Sequence, residues 1–252
     1  MGDIIGDIGT TEERIDDLQI NGLFIIQHPK LFCFGMDAVL LSNFVNTHKN
    51  DRVVDLCCGN GIIPILLSAK TNAKQIYGLE IVSENVDLAT RSVKMNGLSD
   101  RVHIVEGDVR KATEIFGKKS FEVVTCNPPY MNGNQGLKNK SDVKTIARHE
   151  VLLDMKQMLR QTVDLLVPKG HAFFVYRTFR LAELLAEMRA VDLEPKRMQL
   201  VHSYVESPPK LVLVEGVKNS KPYLVTEPPF IVYDKPNQYT KMLMEAYGKI
   251  EE

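Results

Sequence analysis

The chain has 252 residues, of which 44% are hydrophobic, and it carries 31 Lys and Arg against 32 Asp and Glu, a formal net charge of -1. This composition supports a substantial core and excludes a disordered chain, and the near-neutral charge excludes a globally basic nucleic-acid binder. No apolar run approaches the roughly 18 residues of a membrane span, and the acidic N-terminal segment lacks the features of a signal peptide. We therefore expect a cytoplasmic protein without a membrane partner.

Four cysteines, Cys33, Cys57, Cys58 and Cys126, show no paired CxxC spacing. Cysteines in such a pattern are expected to be free thiols that behave as small apolar residues, rather than zinc ligands or disulfides. The sequence therefore predicts a reduced protein without a metal site.

The N-terminal segment precedes any regular alternation of strands and helices. LQINGLFIIQ and LFCF predict a small hairpin, with the Asn-Gly pair at 21–22 as the turn. A helix is predicted over 37–45, with Asp37 near its N-cap. We interpret residues 1–45 as an extension packed on a main domain that spans 46–252.

From residue 52 onward, short apolar runs alternate with segments of helical spacing. This alternation predicts an α/β fold with a mainly parallel sheet and right-handed crossovers. In such folds ligands bind at the carboxyl ends of the strands, so residues just after strands are the candidates for function. The predicted strands are 52–56, 75–80, 101–107, 121–126, 171–176, 197–202 and 210–217, and the predicted helices are 62–70, 83–96, 150–167 and 179–190.

A glycine-containing turn, DLCCGNG (55–61), follows the first of these strands. Gly59 and Gly61 let the backbone turn sharply and approach a ligand, and the helix behind them offers free N–H groups. Alone, this pattern also fits a purely structural tight turn. Its spacing from two strand-end acids is more informative.

Glu80 ends the second strand, where a carboxylate can accept hydrogen bonds from ribose hydroxyls, and Asp108 follows the third strand, where it can contact an adenine amino group. A dinucleotide-binding turn would have a third glycine where this chain has Pro64, which makes a dinucleotide oxidoreductase a minor alternative. Each acid alone also fits a solvated strand end.

The set Asp55, Gly59, Gly61, Glu80 and Asp108 resembles the class I methyltransferases that use S-adenosylmethionine. That family usually has Asp-x-Gly-x-Gly-x-Gly, and Cys57 replaces its first glycine here. We expect Cys57 to need an ordinary backbone conformation while the turn survives.

The sharpest motif is Asn127-Pro128-Pro129-Tyr130, directly after the fourth strand. Two prolines fix two φ angles and hold Asn127 extended. The motif looks like the Asn-Pro-Pro-Tyr signature of methyltransferases that act on planar nitrogen. By that resemblance the Asn127 carboxamide and the Pro128 carbonyl accept the hydrogens of the amino group, and Tyr130 stacks on the target. A rigid Pro-Pro corner is the structural alternative.

The segment after this motif, 131–148, carries Lys138, Lys140, Lys144 and Arg148 against a single acid, Asp142. Beside an active site, these cations could bind RNA phosphates. A solvated loop is the alternative. Further along the chain, Lys210, Lys218 and Lys221 could extend such a footprint.

Over most of its length the chain resembles the bacterial tRNA-valine adenine-N6 methyltransferase family. The motifs that carry this likeness are QHPKLFCFGMDAVLLSNF (27–44), DLCCGNGIIPILL, NPPY and IARHEVLLDM (146–155). The resemblance implies a Rossmann-like seven-stranded sheet with a C-terminal antiparallel hairpin, S-adenosyl-L-methionine as cofactor with S-adenosyl-L-homocysteine as product, and tRNA as substrate. It also implies that Asn127 borders the cofactor and that Asp37 lies near the cofactor's methionine end, although a helix cap explains Asp37 almost as well.

Several alternatives remain open from the sequence. Methylation of a release-factor glutamine also uses NPPY, but only about 45 residues precede the main domain, where such enzymes normally carry a helical substrate-binding domain. Methylation of rRNA or DNA bases and a non-catalytic RNA module that binds the cofactor are the others. The oligomeric state is not fixed by the sequence, and a monomer is the working expectation.

Overall fold

The computed structural model describes residues 12–31, 33–128 and 154–249. Within this part, a twisted mixed sheet is covered by helices on both faces, as the alternating sequence pattern predicts. The strands are β1 (Arg14–Asp17), β2 (Phe24–Gln27), β3 (Arg52–Leu56), β4 (Gln75–Glu80), β5 (Val102–Glu106), β6 (Phe121–Cys126), β7 (Leu166–Arg177), β8 (Leu193–His202), β9 (Leu211–Lys218), β10 (Val225–Thr226), β11 (Phe230–Ile231), β12 (Tyr233–Lys235) and β13 (Gln238–Tyr239). The helices are α1 (Met36–Phe44), α2 (Ile62–Lys70), α3 (Ser83–Met95), α4 (Ala112–Phe116), α5 (Met155–Leu165), α6 (Leu181–Ala190) and α7 (Lys241–Ala246), with short 3-10 turns at Val109–Lys111 and Thr178–Arg180.

The main sheet has the strand order β10-β8-β9-β7-β6-β3-β4-β5, and β11 pairs with the end of β8. Strands β3 to β7 are mutually parallel, and β9 runs antiparallel to both β7 and β8. The seven long strands with a C-terminal antiparallel hairpin confirm the predicted fold class. The two-residue strands β10 and β11 extend this sheet beyond the seven.

Two hydrophobic cores form because neighbouring residues of a central strand point to opposite faces. Val53 packs with α1, α2 and α3, whereas Val54 packs with α4, α5 and α6, and both valines are fully buried. The central strands are apolar on both faces for this reason, which is typical of a parallel sheet. Their carboxyl ends are thereby fixed as one rigid edge.

The N-terminal hairpin differs from its prediction. Its turn contains Asn21 and Gly22 as expected, with φ of 50° and 67°, but the partner of β2 is β1, not LFCF, and the register pairs Arg14 with Gln27. The buried carboxamide of Gln27 explains the difference. Its amide nitrogen donates to Asp16 of β1, and its oxygen accepts the Phe34 N–H at 3.1 Å. The segment around Phe34 is therefore held beside the hairpin by a side chain and does not pair with β2 as a strand.

The hairpin backbone is hydrogen-bonded to side chains of α3 and its C-cap, and Asn96 Nδ2 donates to Phe24 O at 2.6 Å. The Phe24 N–H donates to Asn96 Oδ1 and the Ile26 N–H to Ser92 Oγ, both at 2.9 Å. α1 lies next to α2 and shares its core. The boundary between an extension over 1–45 and a main domain over 46–252 stays a prediction.

Strand β7 begins at Leu166, whereas the sequence pattern predicts a helix that continues to residue 167. Leu166 pairs with Phe121 of β6, and this pairing ends the helix at Leu165. Strand β8 likewise starts at Leu193, earlier than the predicted 197. Among the described residues, no helix has the length and apolar character that crossing a bilayer requires.

Candidate cofactor and catalytic site

Four strand ends bring the predicted site residues to one edge of the sheet. Leu56 of β3 is level with Leu79 of β4 and with Cys126 of β6, and Glu80 of β4 is level with Glu106 of β5. The residues that follow these positions therefore lie side by side at the carboxyl edge, where α/β folds bind ligands.

The turn after β3 contains three left-handed residues in alternation. Cys57, Gly59 and Gly61 have φ of 62°, 55° and 83°. The expectation that Cys57 needs an ordinary backbone conformation is therefore wrong: the cysteine adopts the conformation of the glycine it replaces, at a cost of about 1 kcal/mol. The turn is fixed from both sides, because the Cys58 N–H donates to Leu79 O at 3.1 Å and the Gly61 N–H to Cys58 O at 2.9 Å.

Gly61 is required for a second reason. A Cβ at this position would lie 3.0 Å from the Ala89 Cβ, so the turn and α3 approach too closely for a side chain. Gly61 is also the N-cap of α2, and Pro64 lies in the first helical turn, where its missing N–H has no partner to lose. The N-terminus of α2 therefore starts directly at the carboxyl edge.

Glu80 is buried and organises the turn. Its Oε2 accepts the Gly59 N–H at 2.9 Å, and its Oε1 accepts the N–H groups of Ile81 at 3.0 Å and Val82 at 2.9 Å. These three donors occupy three of about four acceptor directions of the carboxylate. One direction at Oε2 is left for a ligand hydroxyl in this arrangement.

Asp55 is completely buried below the turn. Its Oδ1 accepts the Thr125 hydroxyl at 2.6 Å, whereas its Oδ2 has no hydrogen-bond partner in the described structure. Burial raises the pKa of Asp55 to about 8, the Thr125 hydrogen bond opposes this, and the nearby Glu80 charge adds to it. Asp55 is therefore largely protonated at neutral pH and can donate a hydrogen bond.

Asp108 follows β5 and is engaged by its own neighbour. The carboxylate accepts the Arg110 N–H at 2.8 Å and pairs with the Arg110 guanidinium. The side-chain hydrogen bond with Arg110 lowers the pKa of Asp108. Asp108 is thus a fixed anion at the edge, and a ligand amino group would share it with Arg110.

Asn127 and Asp37 meet across the edge from β6 to α1. The Asn127 Nδ2 donates to Asp37 Oδ2 at 3.1 Å. The N-cap of α1 is Gly35, and Asp37 lies in the first helical turn, where its Oδ1 accepts the Ala38 N–H at 3.0 Å. The N–H branch of the carboxamide therefore points toward α1, and the oxygen branch points away from it.

Cys126 lies directly beneath Asn127 and is buried. Its Sγ is 3.5 Å from Met158 Sδ, and burial raises the pKa of the Cys126 thiol, with a further increase from the Cys57 side chain. The two cysteines are part of the packing under the site. All four cysteines of the chain are free thiols.

Some predicted site residues fall outside the described structure, and one secondary expectation is wrong. Pro128 is buried at the end of the described segment, while Tyr130, Lys138, Lys140, Lys144 and Arg148 lie outside the described residues. Lys218, expected to extend an RNA footprint, is buried and donates to Val163 O at 2.5 Å and Leu166 O at 2.8 Å, because it closes the end of α5.

Three residues of the site are missing from the residues predicted from the sequence. Thr125 donates to Asp55 because the two residues are opposite each other in the β3–β6 pair. Predicting the strands does not predict this register. Arg110 follows Asp108 by two residues, a spacing at which an aspartate side chain typically caps a turn, so this contact could have been predicted from the sequence. Asn60 is completely buried with neither carboxamide atom paired among the described residues.

The chain matches the family model "Methyltransferase small domain" over residues 24–196. It belongs to this methyltransferase family. The match spans β2, α1, the glycine turn, the strand-end acids and Asn127, so the described site lies inside the family domain.

Named relatives agree with this assignment and confirm the resemblance inferred from the motifs. The tRNA1(Val) (adenine(37)-N6)-methyltransferase of Bacteroides fragilis is 26% identical over 235 residues, which cover 90% of this chain and 96% of the relative. The protein of the same name from Photobacterium profundum is 24% identical over 181 residues, 71% of this chain and 75% of the relative.

Solved structures support the fold. A predicted O-methyltransferase, Atu636 from Agrobacterium tumefaciens, superposes with a TM-score of 0.66 at 20% identity and covers 84% of this chain and 96% of its own. S-adenosylmethionine is the general kind of cofactor for this methyltransferase family and fold. Among the described residues, no cluster of His, Cys, Asp or Glu side chains could hold a metal ion.

The residues at the edge fit such a cofactor. Glu80 and Asp108 are carboxyl acceptors beside a turn whose backbone can be approached closely at Gly59 and Gly61. The unpartnered buried oxygen of Asp55 completes a polar set for a ligand with hydroxyl and amino groups. The individual roles of these residues stay predictions.

Proposed function

We propose that this protein transfers a methyl group from S-adenosylmethionine to the exocyclic N6 of an adenine in tRNA, beside the anticodon. The observation that carries the proposal is the position of Asn127. It follows β6 at the carboxyl edge next to the glycine turn, and Asp37 fixes its carboxamide. The named relatives, which act on adenine 37 of a valine tRNA, support the choice of acceptor.

Cofactor binding is assigned to the residues of the edge. Glu80 would accept from a ribose hydroxyl through Oε2, Asp108 would accept from the adenine amino group of the cofactor, and the turn with Gly59 and Gly61 would approach it through the backbone. Asp55 supports the turn from below. The bound cofactor supplies an electrophilic methyl group on a sulfonium.

The catalytic role of Asn127 follows from the chemistry of an adenine amino group. Its nitrogen lone pair is delocalised into the ring and is a poor nucleophile. A carboxamide oxygen of Asn127 and the carbonyl of Pro128 would accept its two hydrogens, which localises the lone pair on nitrogen and aims it. Tyr130 would stack on the base, a contact worth about 1–3 kcal/mol. No strong base is needed before methyl transfer, because the proton leaves afterwards.

The proposal also includes how the tRNA is bound and where the protein works. Lys138, Lys140, Lys144 and Arg148 would bind phosphates of the tRNA beside the reacting base. A monomer that works in the cytoplasm, where tRNA is modified, is the simplest form of this account.

The experiment is transfer of tritiated methyl from S-adenosylmethionine to bulk tRNA that lacks the modification, followed by digestion to nucleosides. The proposal predicts a labelled N6-methyladenosine peak with the wild type. Asn127→Ala should lose this peak while retaining affinity for tRNA. Asn72→Ala, which changes an exposed asparagine in the loop before β4, is the matched control and should retain it.

Other distributions of label would contradict the proposal. Label in a release factor or in rRNA, with none in tRNA, would assign a different acceptor for the same nitrogen chemistry. Cofactor binding without label in any acceptor would identify a non-catalytic RNA module.

A further inference from the structure

Three tyrosines form a continuous aromatic stack on the surface. The ring centroids of Tyr204 and Tyr233 are 5.4 Å apart with an interplanar angle of 30°, and those of Tyr233 and Tyr239 are 5.1 Å apart at 24°. The two outer rings are exposed, Tyr204 by 38% and Tyr239 by 50%. We call these three residues the tyrosine stack.

The tyrosine stack lies at the same edge of the sheet as Asn127. β8 runs parallel to β7, since both are antiparallel to β9, and Tyr204 follows the carboxyl end of β8. Tyr233 is fixed at this end because its N–H donates to Ser203 O at 2.9 Å. Three strand spacings separate β8 from β6, which places the stack about 14 Å along the edge from Asn127.

α1 and Tyr247 lie between the surroundings of the stack and Asp37 in the contacts of the described residues. Tyr239 lines a cavity of about 210 Å³ together with Phe34 and Val39. Val39 belongs to α1, the helix that also carries Asp37, and Asp37 bonds to Asn127. Tyr247 lines the same cavity and lies close to Tyr233, Tyr239 and Asp37, so the stack is near the residue that bonds to Asn127.

Exposed apolar side chains and charges of both signs flank the stack. Val205 is exposed by 73% and Phe179 by 72%, and their segments are joined because Thr178 Oγ1 donates to Pro209 O at 2.7 Å. The exposed charges of this region include the cations Lys210, Lys235 and Lys241 and the acids Glu206, Asp234 and Glu245, and Glu245 pairs with Lys241 at 3.9 Å.

We propose that the tyrosine stack is a platform on which unpaired bases of the RNA next to the reacting adenine are stacked. The proposal rests on the proposed function and names its recognition surface. Aromatic stacking accepts any base and is typical of proteins that bind single-stranded nucleic acid. A chain with a net charge of -1 gains little RNA affinity from its overall charge, so stacking is expected to add to the affinity that local cations supply.

The test compares variants of the two exposed rings. The double variant Tyr204→Ala/Tyr239→Ala removes the rings, whereas Tyr204→Phe/Tyr239→Phe keeps them without hydroxyls. Tyr223→Ala is the matched control: this tyrosine is exposed by 72% but precedes β10, which pairs with the middle of β8 at Arg197 and Met198, before the carboxyl end. Steady-state methylation of tRNA, cofactor affinity and thermal unfolding are measured for each.

We expect the alanine pair to raise the KM for tRNA about tenfold or more. The phenylalanine pair and Tyr223→Ala should remain within about twofold of wild type, and no variant should change cofactor affinity. Should the alanine pair unfold early, Tyr204→Leu alone keeps the apolar contact with Tyr233 and should raise the KM for tRNA by about fivefold.

Two results would overturn the proposal, and they are distinguishable from a failure of the proposed function. An alanine pair with the same KM for tRNA as Tyr223→Ala would show that the stack does not bind RNA. If the variants instead weakened methylation of a release-factor glutamine peptide, the surface would bind a protein. A wild type that methylates no tRNA would contradict the proposed function itself, independently of any stack variant.

Discussion

Asp37 and Asn127 are 90 residues apart in the chain and are joined by a hydrogen bond of 3.1 Å between Asn127 Nδ2 and Asp37 Oδ2. This bond connects the N-terminal helix to the end of β6. It determines which side of the Asn127 carboxamide faces α1 and, therefore, which side its oxygen faces. Asp37 thus acts as a positioning residue for Asn127 in the proposed reaction.

Removing the Asp37 carboxylate should slow methyl transfer. Asp37→Ala leaves the carboxamide of Asn127 without this partner, and a misoriented acceptor costs about 10- to 100-fold in rate. Asp37→Asn keeps an acceptor oxygen and should lose less than about fivefold. Single-turnover kinetics measure the rate, and calorimetry measures cofactor affinity. A loss of cofactor binding in Asp37→Ala with an unchanged single-turnover rate would instead make Asp37 a cofactor ligand.

Glu80 should be the main acidic residue for cofactor affinity. A charge-assisted hydrogen bond contributes about 1.5–3 kcal/mol, so Glu80→Ala should weaken S-adenosylmethionine binding by roughly 10- to 150-fold. The control is Glu106→Ala. Glu106 is level with Glu80 in the sheet, but it is exposed, and among the described residues its side chain bonds only to Ser83, at 2.8 Å. Equal affinities of the two variants in calorimetry would contradict this role.

Asp55 should make the stability of the protein depend on pH. Its pKa is about 8 in the folded state, because of burial, against an ordinary value near 3.8. The folded state then binds more protons than the unfolded state between these values, so this contribution to the free energy of unfolding decreases as the pH rises from about 4 to 8. Glu80, Cys58 and Cys126 are titratable groups that interact with Asp55.

The variant Asp55→Asn isolates this effect. The amide keeps an acceptor for the Thr125 hydroxyl and has no charge at any pH. Relative to the wild type, Asp55→Asn should gain unfolding free energy steadily from about pH 5 to pH 8 in urea titrations without cofactor. If the difference in unfolding free energy between the two proteins stays constant over this pH range, Asp55 is not buried in its neutral form.

Cys57→Gly should stabilise the protein. Cys57 has φ of 62°, a conformation that glycine adopts without strain. The expected gain is about 1 kcal/mol in the free energy of unfolding, and Cys57→Val, with a β-branched side chain, should lose at least as much. Urea unfolding at fixed pH measures both. A destabilised Cys57→Gly would show that packing of the thiol outweighs the backbone strain.

The sequence predicts the parts of this protein that depend on local pattern. Alternating apolar runs give the parallel sheet, and the positions just after strands give the edge where Asp55, Glu80, Asp108 and Asn127 meet. These follow because the strand period and the position of helix starts are written in short stretches of chain.

Long-range pairing could not be predicted in the same way. The register that brings Thr125 to Asp55, the hairpin of β1 with β2 and the contact of Asp37 with Asn127 each join segments whose spacing carries no signal. The left-handed Cys57 is a case in which tertiary contacts override an ordinary backbone preference. Lys218 is buried because its ammonium satisfies the carbonyls at the end of α5, although its sequence context resembles a surface.

The most direct measurement uses two valine-tRNA transcripts that differ in one group. The first carries adenosine at position 37, the site in the names of the relatives, and the second carries purine riboside there, which lacks the exocyclic amino group. The account predicts tritium transfer from S-adenosylmethionine to the first transcript, recovered as N6-methyladenosine, and background label in the second. Equal labelling of both transcripts would contradict methylation at the adenine amino group.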